Sequence, residues 1–232
     1  MTLSNAYSAI RQNHHGLGRK DVFIKGWPRN RHESVIYATQ KGYNVLDIGC
    51  GDGFLLYNLR GRFERLYGIE LSFSMVKEAK KTLHDQHAEL CIGNAEHLPF
   101  GEEFFDCVIC SDVIEHVPDV WQTFREIVRI LRPGGQLVVA TPNVAYFKRR
   151  INLLRGYFPV TSGYDEGLIP GGGCSLFAGG HFHYFTFRSL RKNYEKFGIN
   201  VEREFGFGRL GRIHNIWKTM LSGGICIVGK KS

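Results

Sequence analysis

The stretch Val45-Leu46-Asp47-Ile48-Gly49-Cys50-Gly51-Asp52-Gly53 constrains the fold more than any other part of this 232-residue chain. The apolar run at residues 43–48 reads as a buried strand. The glycines that follow permit a tight turn and the close approach of a ligand to backbone. Residues 54–59 then have the apolar spacing of a helix. Strand, glycine turn and helix in that order form the ligand-binding end of a doubly wound α/β sheet.

The rest of the chain agrees with that architecture. Further strands are expected at residues 66–69, 90–92, 105–110 and 136–140, with helices at 72–83 and 120–131 between them. Ser72 is placed to cap its helix. Pro133-Gly134-Gly135 is placed to end the next helix and turn the chain into the following strand. One core suits this length better than two, and no repeat or low-complexity tract divides the chain. The expected division is an N-terminal helical extension (1–40), with Trp27 and residues 29–37 lying against the glycine turn, a binding core (41–143), a basic helix with a glycine-rich insertion (144–186), and a final helix and strands (187–232).

Residues 1–25 hold no continuous apolar block, so neither a secretory signal nor a membrane span is read there, and a cytoplasmic location is the expectation. The six cysteines do not resemble a small disulfide scaffold. Cys107 and Cys110 stand three apart on an expected strand, hence on opposite faces, where they cannot share a zinc ion. No metal site is read from the sequence.

Charge is divided unevenly. Residues 1–143 carry 16 Lys/Arg against 17 Asp/Glu, whereas residues 144–232 carry 14 against 5. The basic half favours an anionic substrate, an acidic lipid surface or nucleic acid. Within it, residues 144–155 read as a basic amphipathic helix. Residues 156–180 hold eight glycines and two prolines and read as a lid or substrate loop. A helix at 187–197 and strands at 199–205 and 225–229 complete the sheet.

Glu70 ends the second expected strand 21 residues after Gly49, where a ribose-binding carboxylate belongs in such a sheet. A nicotinamide-dependent oxidoreductase would share both features. Phe54, however, occupies the sixth position of the G-x-G-x-x-G pattern, where close helix–strand packing needs Gly or Ala. Asp47 would repel a pyrophosphate and attract a cationic amino-acid ligand.

The segment around Gly49 resembles motif I of class I S-adenosylmethionine-dependent methyltransferases. Four further segments are similar to that family in the right order: Gly68-Ile69-Glu70-Leu71-Ser72, Gly93-Asn94-Ala95-Glu96-His97-Leu98-Pro99-Phe100, the run from Phe105 to Asp119, and Leu131-Arg132-Pro133-Gly134-Gly135. The resemblance spans about residues 43–143. It implies a Rossmann-like sheet of seven strands, mostly parallel with an antiparallel last strand, and S-adenosylmethionine as cofactor with S-adenosylhomocysteine as product. It also implies roles. Asp47, Gly49, Cys50 and Gly51 lie against the methionine moiety, and Glu70 with Leu71 takes the ribose. Asn94 and Ala95 flank the adenine, while Ser111 and Asp112 lie beneath the donor. Asn94 departs from the family, which usually has Asp there, but its amide oxygen still accepts from an amino group.

The segment from Gly180 to Thr186 is similar to a subgroup that includes ubiquinone-biosynthesis-type and methionine-biosynthesis-type proteins, many of which have Arg in place of His183. The aromatic stripe Phe182, Tyr184, Phe185 and Phe187 reads as core. For a sulfonium donor, alignment contributes about 7–11 kcal/mol and a general base roughly 10²–10⁴-fold, so positioning dominates. His116, after the fourth strand, is the first candidate base, followed by His181 and His183. A small or lipid-like, anionic acceptor methylated on oxygen is the leading reading. Nucleic acid is the rival acceptor, although no RNA-binding module is recognisable. A noncatalytic cofactor-binding partner of another enzyme is the alternative from a different class.

Overall fold

Apolar side chains at Val45, Leu46 and Ile48 leave β1 (Gly42–Ile48) no solvent-facing side, and all three are buried. β1 accordingly lies inside the sheet, parallel to β2 (Phe63–Glu70) on one side and to β4 (Phe105–Ser111) on the other. The computed structural model describes residues 17–161, 168–169, 173–174 and 181–232. Its elements are α1 (Arg31–Ala38), β1, α2 (Phe54–Leu59), β2, α3 (Phe73–Thr82), β3 (Ala88–Ile92), β4, α4 (Val120–Ile130) and β5 (Leu131–Pro142). They continue with α5 (Phe147–Leu154), β6 (Leu168–Ile169), β7 (Gly173–Cys174), α6 (Phe187–Lys196), β8 (Ile199–Phe205), a 3₁₀ turn (Gly211–Asn215), α7 (Lys218–Leu221) and β9 (Gly224–Lys231).

Seven strands pair in the order β3-β2-β1-β4-β5-β9-β8, and β6 pairs with β7 apart from them. β9 runs antiparallel to both of its neighbours. The chain steps outward from β1 to β3 and then returns to the other side of β1, so the winding reverses between β1 and β4. Open α/β sheets bind ligands at the strand carboxyl ends beside that switch point.

Two apolar cores flank the sheet. One joins Leu46, Val108 and Cys110 to Phe124 and Ile127 of α4 and to Leu190 of α6. The other joins Val45, Cys107 and Ile109 to Val35 of α1 and to Leu56 and Leu59 of α2. Cys107 and Cys110 thus fall in different cores, as the period of two requires. Burial pushes both thiols well above the ordinary range, and both are free. Asp119 caps α4 by accepting from Trp121 N and Gln122 N, both at 2.9 Å. Thr186 and Ser189 form a reciprocal capping box on α6.

Several local readings need correction. Ser72 stands at the N-cap of α3, but its hydroxyl meets Ser74 Oγ at 2.9 Å rather than capping the backbone. α4 ends at Ile130, ahead of Pro133, because Leu131 already pairs with Phe105 and opens β5. The aromatic stripe divides: Phe185 and Phe187 are core, whereas Phe182 and Tyr184 are exposed. Trp27 packs on Phe205 of β8 and donates to Gly206 O at 2.9 Å, so it braces the far edge of the sheet rather than the glycine turn. Most of the glycine-rich insertion lies outside the described residues.

Candidate functional site

The turn after β1 is fastened to β2 by backbone. Gly49 N and Cys50 N both donate to Ile69 O, at 2.7 and 3.1 Å. Gly49, Gly51 and Gly53 all have left-handed φ, at +71°, +56° and +80°. At Gly49 a side chain is also excluded by contact, since a Cβ there would collide with Val113 Cγ2.

Glu70 organises this turn. Its carboxylate is buried, and Gly51 N donates to Oε2 at 3.1 Å while Ser72 N donates to Oε1 at 3.0 Å. Asp47 is buried beside it at the end of β1, between Gly68 and Ile109 of the neighbouring strands. Leu71 is half-buried, continuing directly from Glu70.

The next two turns sit along the same edge. Asn94 is exposed, its Oδ1 accepts from Glu96 N at 3.1 Å, and Ala95 behind it is buried. At the end of β4, Ser111 Oγ is buried without a hydrogen-bond partner. Asp112 follows with φ +51°, its N donating to Ala140 O at 2.8 Å. Its side chain forms an ion pair with Arg31 of α1, so the N-terminal helix reaches across the switch point. His32 beside it packs edge-on to Phe54, and burial together with the Arg31 charge lowers its pKa to about 4. The orphaned hydroxyl at Ser111, beside a turn whose glycines leave the backbone bare, is a feature that a bound nucleoside–amino-acid ligand completes.

A second cluster adjoins the first. Glu115 is fully buried, accepts from Thr141 Oγ1 at 3.0 Å through Oε2, and leaves Oε1 without a partner. Burial pushes its carboxyl up to about 7, against the lowering influence of hydrogen bonds from its own backbone and Thr141 and of Arg31. The His116 and His181 rings meet edge-on with centroids 4.7 Å apart. Among the described residues, Glu115, His116 and His181 are the group whose ligand atoms all lie within 4.8 Å of one another, a carboxylate and two imidazoles of the kind divalent cations take. His181 also contacts Thr161 Oγ1 through Nδ1, and its pKa falls to about 4 through burial and the nearby Arg149.

His183 behaves differently from its two companions. Its Nε2 lies 2.9 Å from Val117 O and 3.3 Å from Pro118 O, and both carbonyls can only accept. That nitrogen therefore carries the proton and anchors the turn before α4. Its backbone N, with that of Phe182, donates to Glu115 O at 3.1 and 2.8 Å. These two bonds bring the segment from residue 181 onto the end of β4.

A glycine turn tied to a buried acid, at the switch point of a doubly wound sheet, defines a nucleoside-binding α/β protein. A methyltransferase domain family matches residues 46–139. Over 126 residues the chain is 38% identical to a demethylmenaquinone methyltransferase of Listeria monocytogenes, covering 50% of this chain and 53% of that protein. Over 109 residues it is 33% identical to a ubiquinone biosynthesis O-methyltransferase of Coxiella burnetii, covering 45% and 46%. The chain thus spans about half the length of the curated relatives it matches. In fold it resembles an S-adenosylmethionine-dependent methyltransferase of Mesorhizobium loti, with a TM-score of 0.65 at 18% identity over 87% of this chain and 98% of that one. Residues 46–139 thus match a methyltransferase domain, and the fold is the one shared by S-adenosylmethionine-dependent methyltransferases, whose cofactor is S-adenosylmethionine.

The sequence singled out the glycine turn, the three histidines and, within residues 29–37, the stretch that holds Arg31, but not Glu115, Thr141 or Thr161. Glu115 carried a signal, since an acid directly before His116 after an apolar strand is placed at the ligand end of the sheet. The pairing of Arg31 with Asp112 carried none, because the two lie 81 residues apart.

Proposed function

We propose that the chain transfers a methyl group to a hydroxyl of a small or lipid-like acceptor, with His116 receiving the hydroxyl proton. The observation that carries this reading is the adjacency of the Glu115–His116–His181 cluster to the glycine turn at the β1/β4 switch point. The names of the two relatives, both methyltransferases and one an O-methyltransferase, support it.

S-adenosylmethionine, when bound, supplies a methyl already activated on a sulfonium, whose departure leaves a neutral thioether. The chain therefore has to position more than it has to activate. In this reading Gly49, Cys50 and Gly51 cradle the methionine moiety, with Asp47 beneath its ammonium group. Glu70, held by the Gly51 and Ser72 amides, takes the ribose hydroxyls, with Leu71 beside them. Asn94 and Ala95 flank the adenine, and Ser111 and Asp112 lie under the donor.

The acceptor enters on the side of His181 and Tyr184. His181, with its pKa near 4, is neutral at physiological pH and adds no positive charge where a proton must be received. Glu115 beneath the pair holds a proton of its own up to about pH 7. The basic half of the chain favours an anionic or amphiphilic acceptor.

The test is an acceptor screen with methyl-labelled donor, using hydroxyl-bearing lipids, quinols and small acids. Labelled product that His116→Ala slows about 10²–10⁴-fold, with donor affinity retained, supports the reading. Donor binding without product from any acceptor, together with a stably copurifying enzyme, would replace it with the noncatalytic partner.

A further inference from the structure

The sheet end that carries the acceptor cluster also carries a face that the described chain leaves uncovered. None of the eight residues of α5 is buried, and Leu153 and Leu154 are 61% and 87% exposed. Tyr157 and Phe158 extend the apolar strip until Phe158 meets Tyr184, ring centroids 5.4 Å apart. A second strip lies just before β9, where Ile216 and Trp217 are 80% and 61% exposed. The two strips are neighbours: Arg149 Nη1 donates to Gly223 O at 3.0 Å, and Asn143 Nδ2 to Thr219 O at 3.1 Å.

The charge on this face has one sign. Residues 144–161 contain four Lys/Arg and no Asp/Glu, and residues 206–223 contain three and none. Arg149 is engaged by backbone carbonyls, and Lys218 pairs with Glu204 at 2.6 Å. Lys148, Arg150, Arg155, Arg209 and Arg212 are exposed. Bare Leu, Ile and Trp side chains with Lys148, Arg150, Arg155 and Arg209 in the same two segments, and Arg212 over the Trp27 ring, are the composition of an interfacial element on anionic lipid.

We propose that α5 and the Ile216–Trp217 strip dock the chain on a membrane surface that bears anionic headgroups. The apolar side chains enter the headgroup boundary while the cations pair with phosphates. The docking rests on the methyl-transfer reading above and deepens it, because it sets the Phe158–Tyr184 side of the acceptor cluster against the bilayer that holds a lipid-like acceptor. A second copy of the chain fits this face poorly, since a two-fold contact would oppose cation to cation with no carboxylate in either strip.

The test is cosedimentation of the chain with phosphatidylcholine vesicles, with and without about three tenths phosphatidylglycerol. The expected result is binding at least about tenfold stronger to the anionic vesicles, lost in about 0.5 M salt. Leu153→Glu with Leu154→Glu, and separately Ile216→Glu with Trp217→Glu, should each weaken it about tenfold or more, with calorimetric binding of S-adenosylmethionine unchanged. Equal sedimentation of wild type and both variants, or no preference for the anionic vesicles, would overturn the proposal. So would a dimer in light scattering that the Leu154 substitution dissolves, since it would assign the face to a second copy. Loss of donor binding in wild-type protein would sink the methyl-transfer reading without touching the vesicle result.

Discussion

Replacing Glu115 with Gln should change how stability depends on pH, by an amount that follows from its burial. The carboxyl is fully buried, with one hydrogen bond from Thr141 and an unpartnered Oε1, and its pKa rises from 4.5 to about 7. The unfolded chain releases this proton near the ordinary value, so between the two values the folded state binds one more proton. Stability from this group is therefore fully present below about pH 4.5 and is lost as pH rises through about 7. At about 1.4 kcal/mol per pKa unit, wild type should lose about 2 kcal/mol from this source between about pH 5.5 and 8.5. Urea unfolding of wild type and Glu115→Gln at both pH values measures the difference. The variant keeps the Thr141 contact and carries no titratable proton, so its own change should be smaller by about 2 kcal/mol. Equal pH dependence in the two proteins would refute the buried, protonated carboxyl.

Other substitutions test separate parts of the structure. Asp119→Ala removes the side chain that caps α4 through Trp121 N and Gln122 N, and should cost about 1 kcal/mol in thermal or urea unfolding without altering donor affinity. Gly49→Ala drives a Cβ into Val113 at a left-handed position, and should weaken S-adenosylmethionine binding about tenfold or more by calorimetry. His183→Ala frees the Val117 and Pro118 carbonyls, so it should lower stability by about 1 kcal/mol, whereas His116→Ala should act on turnover instead.

What the sequence revealed was local and contiguous. β8 falls at residues 199–205, where a strand was expected, and β1, β2 and β4 differ from expectation only at their ends. β5 begins earlier than expected, because Leu131 pairs with Phe105 before the Pro133-Gly134-Gly135 kink interrupts the ladder. The 3₁₀ turn and α7 carry no readable period. They are short pieces fixed by contacts such as His214 Nδ1 to Leu221 O at 2.6 Å. The glycine turn and its tie to Glu70 could be read because they belong to two consecutive strand ends. The grouping of Glu115 with His116 and His181 could not, because Glu115 meets His181 only after the chain has built β5 and returned, and Arg31 meets Asp112 only after α1 folds over the switch point. Partners rather than residue type also separate His181 from His183: the first meets Thr161 and His116, the second the Val117 and Pro118 carbonyls, and these contacts exist only in the folded chain.

The central claim is that the turn from Gly49 to Gly53, held by Glu70, binds the methyl donor. Calorimetric titration of the purified chain with S-adenosylmethionine and S-adenosylhomocysteine tests it most directly. Wild type should bind both at about micromolar concentration. Glu70→Ala, which releases the Gly51 and Ser72 amides, should bind about tenfold or more weakly. Gly51→Val, which forces a branched side chain into a left-handed backbone, should weaken binding at least as much. Absence of binding by folded wild-type protein, or affinities that neither substitution changes, would contradict the account.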